Sequence, residues 1–324
     1  MRIAAIAALF GEESKQVREM RESLPIPLFV AADRPIPEAC VVARGDVLWQ
    51  KERLLNLALA MVPPEYDAIA WLDLDLLFTR LDWPDLAVKA LQRNTVVQLF
   101  SRVLFQRKEG DRWPEEGRSV VWNSSLGHPG FAWAARRDYL ERVGGFYDEA
   151  ILGGGDLLMW DAWSGGARSR LYALRLRAKR WSCRLQAGCL DQTIVHRWHG
   201  TRMARQYVER DAVLQSTGFD PERHLTRNAA GAWCWTAEAP VELQTYCREY
   251  FTRRRNDAAG IGELCDGDGA SPRTASVYAD SPGGVRPANL SAPGTGGPQP
   301  IRGAVDARPP RHPGGINRPR HSRG

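Results

Sequence analysis

The chain is poor in lysine: five Lys stand against 39 Arg in 324 residues, a bias that points to a GC-rich gene. No apolar run approaches the length of a transmembrane helix, so no membrane-spanning segment is expected. The six cysteines (Cys40, Cys183, Cys189, Cys234, Cys247 and Cys265) show no Cys-x-x-Cys spacing and no disulfide-framework pattern. Buried free thiols in a reducing cytoplasm are the expectation that follows. No internal repeat is present. Large apolar aromatics also run out, since neither Trp nor Phe occurs beyond residue 256.

From that point Gly, Pro, Ser and Arg dominate and apolar periodicity is lost. Such a segment cannot bury enough apolar surface to offset its chain entropy. The expectation is a folded domain over residues 1–255 and a disordered tail over 256–324. Residues 258–324 hold eight Arg against five acids, so about half of the +6 net charge belongs to the tail. A solvated tail with no specific nucleic-acid partner is expected. What precedes it is well supplied for a core, with all 12 Trp and the bulk of the 44% hydrophobic content. Residues 3–10 are apolar but run straight into Gly11-Glu-Glu-Ser-Lys, so the opening segment reads as a first strand rather than a signal segment.

Apolar runs at 3–10, 28–32, 68–72 and 96–100 read as buried strands alternating with helices, which predicts an α/β fold with a mainly parallel sheet. Leu48, Leu55, Leu59 and Val62 fall on one helix face, and Pro63-Pro64 stop that helix. Asp82, as N-cap before Trp83-Pro84, opens the next. Residues 130–134 read as a strand, and 138–143 as a short helix closed by Gly144-Gly145. Residues 193–198 are strand-like, and Val241, Leu243, Tyr246 and Tyr250 mark a last helix.

Three constellations can carry chemistry. Asp73 and Asp75 close the apolar run at 68–72, and in open α/β folds ligands bind beyond the carboxyl ends of such strands. Gly153-Gly-Gly155 precedes Asp156, where small residues allow close backbone approach and a helix start exposes N–H groups. Asp156 is then a helix cap, a catalytic carboxylate or both, since the two roles are compatible. His196-Arg-Trp-His199-Gly200 ends a strand, and carboxylate, imidazole and phosphate oxygens together suit Mn²⁺ or Mg²⁺. Lys51 on a helix is solvated by default. Trp122, Trp133, Trp160 and Trp163 are core residues unless one or two stack a sugar face.

Leu48-Trp-Gln-Lys51-Glu-Arg-Leu-Leu-Asn56, followed by Tyr66-Asp67-Ala-Ile-Ala-Trp-Leu-Asp73-Leu-Asp75, resembles the nucleotide-binding half of the β-1,4-galactosyltransferase family. Gly130-Phe-Ala-Trp-Ala-Ala-Arg-Arg-Asp, Val143-Gly-Gly-Phe-Tyr-Asp148 and Gly153-Gly-Gly-Asp156 are similar to its acceptor-side half. The resemblance spans roughly residues 49–200, in order. It implies a GT-A fold, a UDP-sugar donor, a glycan or other hydroxyl acceptor, and Mn²⁺ or Mg²⁺. It also implies Asp75 and His199 as metal ligands with His196 as a second histidine, and Asp156 as general base. Trp49, Lys51, Asp73, Gly154 and Gly155 would bind the nucleotide sugar. Leu157 and Leu158 stand where the family continues its acidic run, and Leu152 where it has an aromatic residue, so an acceptor other than plain N-acetylglucosamine is implied.

Three alternatives remain at this stage. Retaining transferases of the glycogenin type use the same Asp-x-Asp and late His. A nucleotidyltransferase would share the core, although Gly11 stands alone without a Gly-rich phosphate loop. A carbohydrate-binding protein that has lost turnover would not need Asp73, Asp75, Asp156 and His199 all intact.

Overall fold

The structure, a computed structural model, describes residues 1–10, 14–106, 116–178, 185–198 and 205–258. From residue 259 onward the expected tail lies outside the described residues.

The amino-terminal half alternates as the apolar runs require. The strands β1 (Ile3–Leu9), β2 (Leu28–Ala32), β3 (Val41–Val42) and β4 (Ala68–Leu72) are interleaved with helices α1 (Lys15–Ser23) and α2 (Lys51–Met61). Then follow β5 (Leu76–Phe78), α3 (Trp83–Leu91), β6 (Val96–Gln98), β7 (Arg102–Phe105), β8 (Glu116–Arg118), β9 (Ala132–Arg136) and α4 (Arg137–Val143). The remainder is α5 (Gly155–Ser164), α6 (Tyr172–Arg177), β10 (Ala187–Cys189), β11 (Thr193–His196), α7 (Tyr207–Ser216), α8 (Pro221–His224), β12 (Leu225–Arg227), β13 (Trp233–Trp235) and α9 (Val241–Ala258).

Seven strands form the central sheet, in the order β10-β6-β9-β4-β1-β2-β3. Among them only β9 runs antiparallel, between β4 and β6. This is the mixed, mainly parallel sheet flanked by helices that the sequence pattern calls for. Both faces are covered, so alternate residues of β4 enter two cores: Ile69 and Trp71 on one side, Ala68, Ala70 and Leu72 on the other. A strand buried on both faces has no polar alternation, which is why 68–72 is apolar throughout. Trp71 pairs in register with Trp133, their rings stacked 6.3 Å apart.

A second sheet, β5-β11-β7-β8, stands at the carboxyl edge of β4. Its short strands carry no usable period, and β5, β7 and β8 escape sequence reading. The helices α1 and α7 escape it as well.

Several expectations need correction. Asp82 precedes α3 but makes no cap bond; Arg80 binds its carboxylate instead, at 2.6 and 2.9 Å. Leu54, Leu55 and Ala58 form the buried face of α2, which begins only at Lys51 and leaves Leu59 half-buried. Of the described cysteines only Cys247 is buried; Cys40 is exposed in a turn, where its thiol donates to the Val30 carbonyl. Trp133, Trp160 and Trp163 are core residues, whereas Trp122 is 66% exposed. The last helix runs three residues past Arg255, to Ala258. No helix among the described residues is long and apolar enough to cross a membrane.

Candidate functional site

Parallel strands bring their carboxyl ends to one edge of the sheet, and β4 delivers Asp73 and Asp75 there. Because β9 is antiparallel, its amino end meets the same edge. The register sets Leu72 opposite Ala132, so Phe131 follows opposite Asp73, whose N–H donates to the Phe131 carbonyl at 2.9 Å. Gly130 sits next to it, packed so closely that a Cβ there would lie 3.1 Å from Asp156 Oδ2.

Asp156 arrives on α5. Gly153 and Gly154 have φ of +87° and +89°, and this double left-handed turn starts the helix at Gly155. Gly154 is therefore the N-cap residue, and Asp156 stands in the first helical turn with its carboxylate turned elsewhere. The capping alternative fails on that point. Lys51 reaches across from the first turn of α2, its ammonium 3.0 Å from Asp156 Oδ2 and 2.7 Å from Asp73 Oδ1. Lys51 is only 8% exposed, which corrects the solvated reading of this side chain.

The start of α2 is fixed to the rest of the site by backbone bonds. Trp49 N–H donates to the Ile151 carbonyl at 2.7 Å, and Gln50 exchanges bonds with the Trp233 backbone. The Trp49 ring lies between Phe10 and Phe251, with the Arg254 guanidinium 4.8 Å from the ring centroid. Arg210 Nη1 donates to the Leu152 carbonyl at 2.6 Å and thereby ties α7 to the glycine loop.

Burial shapes the charges. It pushes the Asp73 carboxyl up to about 6, against the pull of Lys51 and with help from Asp75 and Asp156. For Lys51 burial works downward, but Asp156 and Asp73 outweigh it and hold the ammonium well above its ordinary range. Glu52 is raised to about 8 by burial first and the Asp156 charge second. It fills the space beneath Gly155, where a Cβ would come within 2.5 Å of Glu52 Oε1.

The second sheet builds the other half of the site. Antiparallel pairing of β5 with β11 sets His196 opposite Leu76, and Arg197 N–H donates to the Asp75 carbonyl at 2.8 Å. His196 Nε2 consequently lies 3.6 Å from Asp75 Oδ2, both side chains well buried. One carboxylate oxygen and one imidazole nitrogen form a donor set that fits Mn²⁺ or Mg²⁺, with phosphate oxygens to complete the shell. His199, the other expected ligand, lies outside the described residues. Among the described residues no group of three or more His, Cys, Asp or Glu is gathered closely enough to hold a metal unaided.

Thus Asp73, Asp156 and Lys51 meet, and Asp75 and His196 meet beside them. Gly154 and Gly155 position Asp156, while Trp49 precedes the helix that carries Lys51 and packs its ring against Phe10 and Phe251. Sequence reasoning missed Glu52, Phe131 and Arg210. Glu52 and Phe131 were inside recognised motifs, but nothing in their spacing signalled a role. Phe131 has φ +82°, a conformation that costs a non-glycine residue on the order of 1–3 kcal/mol.

No family model matches the chain, and no curated relative does. Solved structures do resemble it. A variant of Drosophila β1,4-galactosyltransferase 7 in complex with manganese, UDP-Gal and xylobiose is 12% identical. The match covers 76% of this chain and 99% of that one, with a TM-score of 0.39. Mannosyl-3-phosphoglycerate synthase from Rubrobacter xylanophilus is 12% identical over 72% of this chain and 85% of that one, with a TM-score of 0.35. A 4-diphosphocytidyl-2C-methyl-D-erythritol synthase from Anaerococcus prevotii is 9% identical over 66% and 98%, with a TM-score of 0.27. Scores this low do not choose among these activities; the site itself must.

Proposed function

We propose that the chain is a metal-dependent glycosyltransferase of the GT-A type, akin to the β-1,4-galactosyltransferases. It moves a galactose-type hexose from a UDP-sugar to a hydroxyl acceptor with inversion. The observation that carries this reading is the meeting of Asp73, Lys51 and Asp156 beside the Asp75–His196 pair, at the carboxyl edge of β4. A nucleotidyltransferase, whose attacking phosphate oxygen carries no proton, has no use for Asp156 as a base, and a binding module needs no buried ionic cluster.

Asp75 and His196, with His199, would hold Mn²⁺ or Mg²⁺. Such an ion supplies neutralisation of the charge that builds on the departing diphosphate. Lys51 has three N–H donors; Asp73 and Asp156 engage two, and the third serves a diphosphate oxygen. Asp73 would contact the ribose or a metal-bound water. Gly154 and Gly155 let backbone approach the donor sugar, and Trp49 supports the wall behind the nucleotide. Asp156 accepts the proton of the acceptor hydroxyl as that oxygen bonds to the anomeric carbon. The bond from the anomeric carbon to the diphosphate breaks with its electron pair going to the nucleotide. The catalytic domain in this reading is 1–258, ending with α9 rather than at 255, followed by a tail, and free thiols without a framework suit the cytoplasm.

Asp156→Asn tests the reading, because it keeps size and removes the base. Transfer from UDP-galactose should fall by about two to four orders of magnitude, with donor affinity retained. Near-wild-type turnover, or a product that keeps the donor's anomeric configuration, would contradict it.

A further inference from the structure

Phe131 joins the two halves of the site, and it does so from a backbone conformation that side-chain-bearing residues rarely adopt. Its φ is +82°, and besides Gln206 it is the one non-glycine with positive φ among the described residues. Its carbonyl accepts the Asp73 N–H at 2.9 Å. Its ring packs against the His196 imidazole, centroids 4.8 Å apart, and against His128, Phe100 and Phe105 at 5.4 to 5.9 Å. Glycine would adopt this φ without strain, yet glycine could not fill that ring pocket. The unfavourable conformation is therefore held by the ring's packing, and strain of this kind marks functional positions.

On the metal–donor reading above, on which this rests, we propose that Phe131 is a positioning residue of the metal site. Its carbonyl fixes the backbone of Asp73, and its ring fixes the His196 imidazole against Asp75. Phe131 touches both sides of the Asp-x-Asp pair without offering a ligand itself. The two functions separate by substitution. Phe131→Gly keeps the backbone conformation and removes the ring; Phe131→Ala keeps the strain and removes the packing that offsets it.

The test uses the full chain and two readouts. Mn²⁺ binding is measured alone, by the paramagnetic resonance of the free aqua ion. Amide hydrogen exchange at Asp73 is measured without metal. Both variants should bind Mn²⁺ about tenfold more weakly. Only Phe131→Ala should speed exchange at Asp73, by about tenfold relative to Ala70 within β4. Phe131→Tyr should restore both, and Leu140→Ala, a core truncation elsewhere, should change neither. Wild-type Mn²⁺ affinity in Phe131→Gly, unchanged Asp73 exchange in Phe131→Ala, or equal losses in Leu140→Ala would overturn the assignment. Absence of Mn²⁺ binding in the wild type would instead overturn the metal reading; the exchange measurement would still decide whether Phe131 holds Asp73.

Discussion

A lysine ammonium removed from water costs several kcal/mol unless it is paired. Lys51 is placed where two carboxylates compensate it, so Lys51→Met should leave Asp73 and Asp156 facing each other unneutralised. A loss of about 3–5 kcal/mol is expected for breaking such a buried set, measured by urea unfolding. Glu52 gives the opposite case, an acid that folding makes harder to ionise, from an ordinary 4.5 to about 8. A raised carboxyl favours the folded state at low pH, and that contribution is lost as pH rises through about 8. The melting temperature should therefore fall between pH 5 and pH 9, and Glu52→Gln should flatten that fall; an unchanged slope would show that Glu52 ionises freely. Gly155→Ala would drive a methyl into the same carboxyl and displace the first turn of α5. Overpacking of this kind costs about 1–3 kcal/mol, and transfer should drop by more than the stability loss explains. The positions of Asp73, Asp75 and Asp156 at the ends of elements were legible at this scale because charge breaks an apolar or glycine-rich pattern. The Lys51 bridge was not, since 105 residues separate it from Asp156 and only the fold closes that gap.

Elements decide which of these residues meet. β4 was legible to the residue, because burial on both faces demands an unbroken apolar run bounded by charge. The start of α5 was legible from its glycines. By contrast β5 has three residues and one buried side chain, too few to show a period, yet its pairing with β11 places His196 beside Asp75. The helices after β11 also matter to the site. Arg210 on α7 holds the Leu152 carbonyl and lies 3.3 Å from the Tyr250 hydroxyl on α9. Arg210→Ala should release the glycine loop, with a loss of about 1.5–3 kcal/mol for a hydrogen bond to a charged group. Its kcat should fall more than its donor affinity; equal kcat in variant and wild type would show that α7 does not hold the glycine loop in place for transfer.

For the whole molecule, the described core is assembled by residues up to Tyr250 in α9. Composition alone leads to the expectation of a tail, because a segment without Trp, Phe or apolar period has little to bury; its residues from 259 onward lie outside the described ones. Truncation after Ala258 should accordingly leave the melting temperature unchanged. The central claim is metal-dependent transfer from a nucleotide sugar, and the most direct measurement is release of nucleoside diphosphate by the purified full chain. A panel of UDP-sugars would be tested with Mn²⁺ and with chelator, in wild type and Asp75→Ala. Release from one UDP-hexose that needs Mn²⁺ and disappears in Asp75→Ala is expected; release indifferent to both, or none from any donor, would refute metal-dependent transfer.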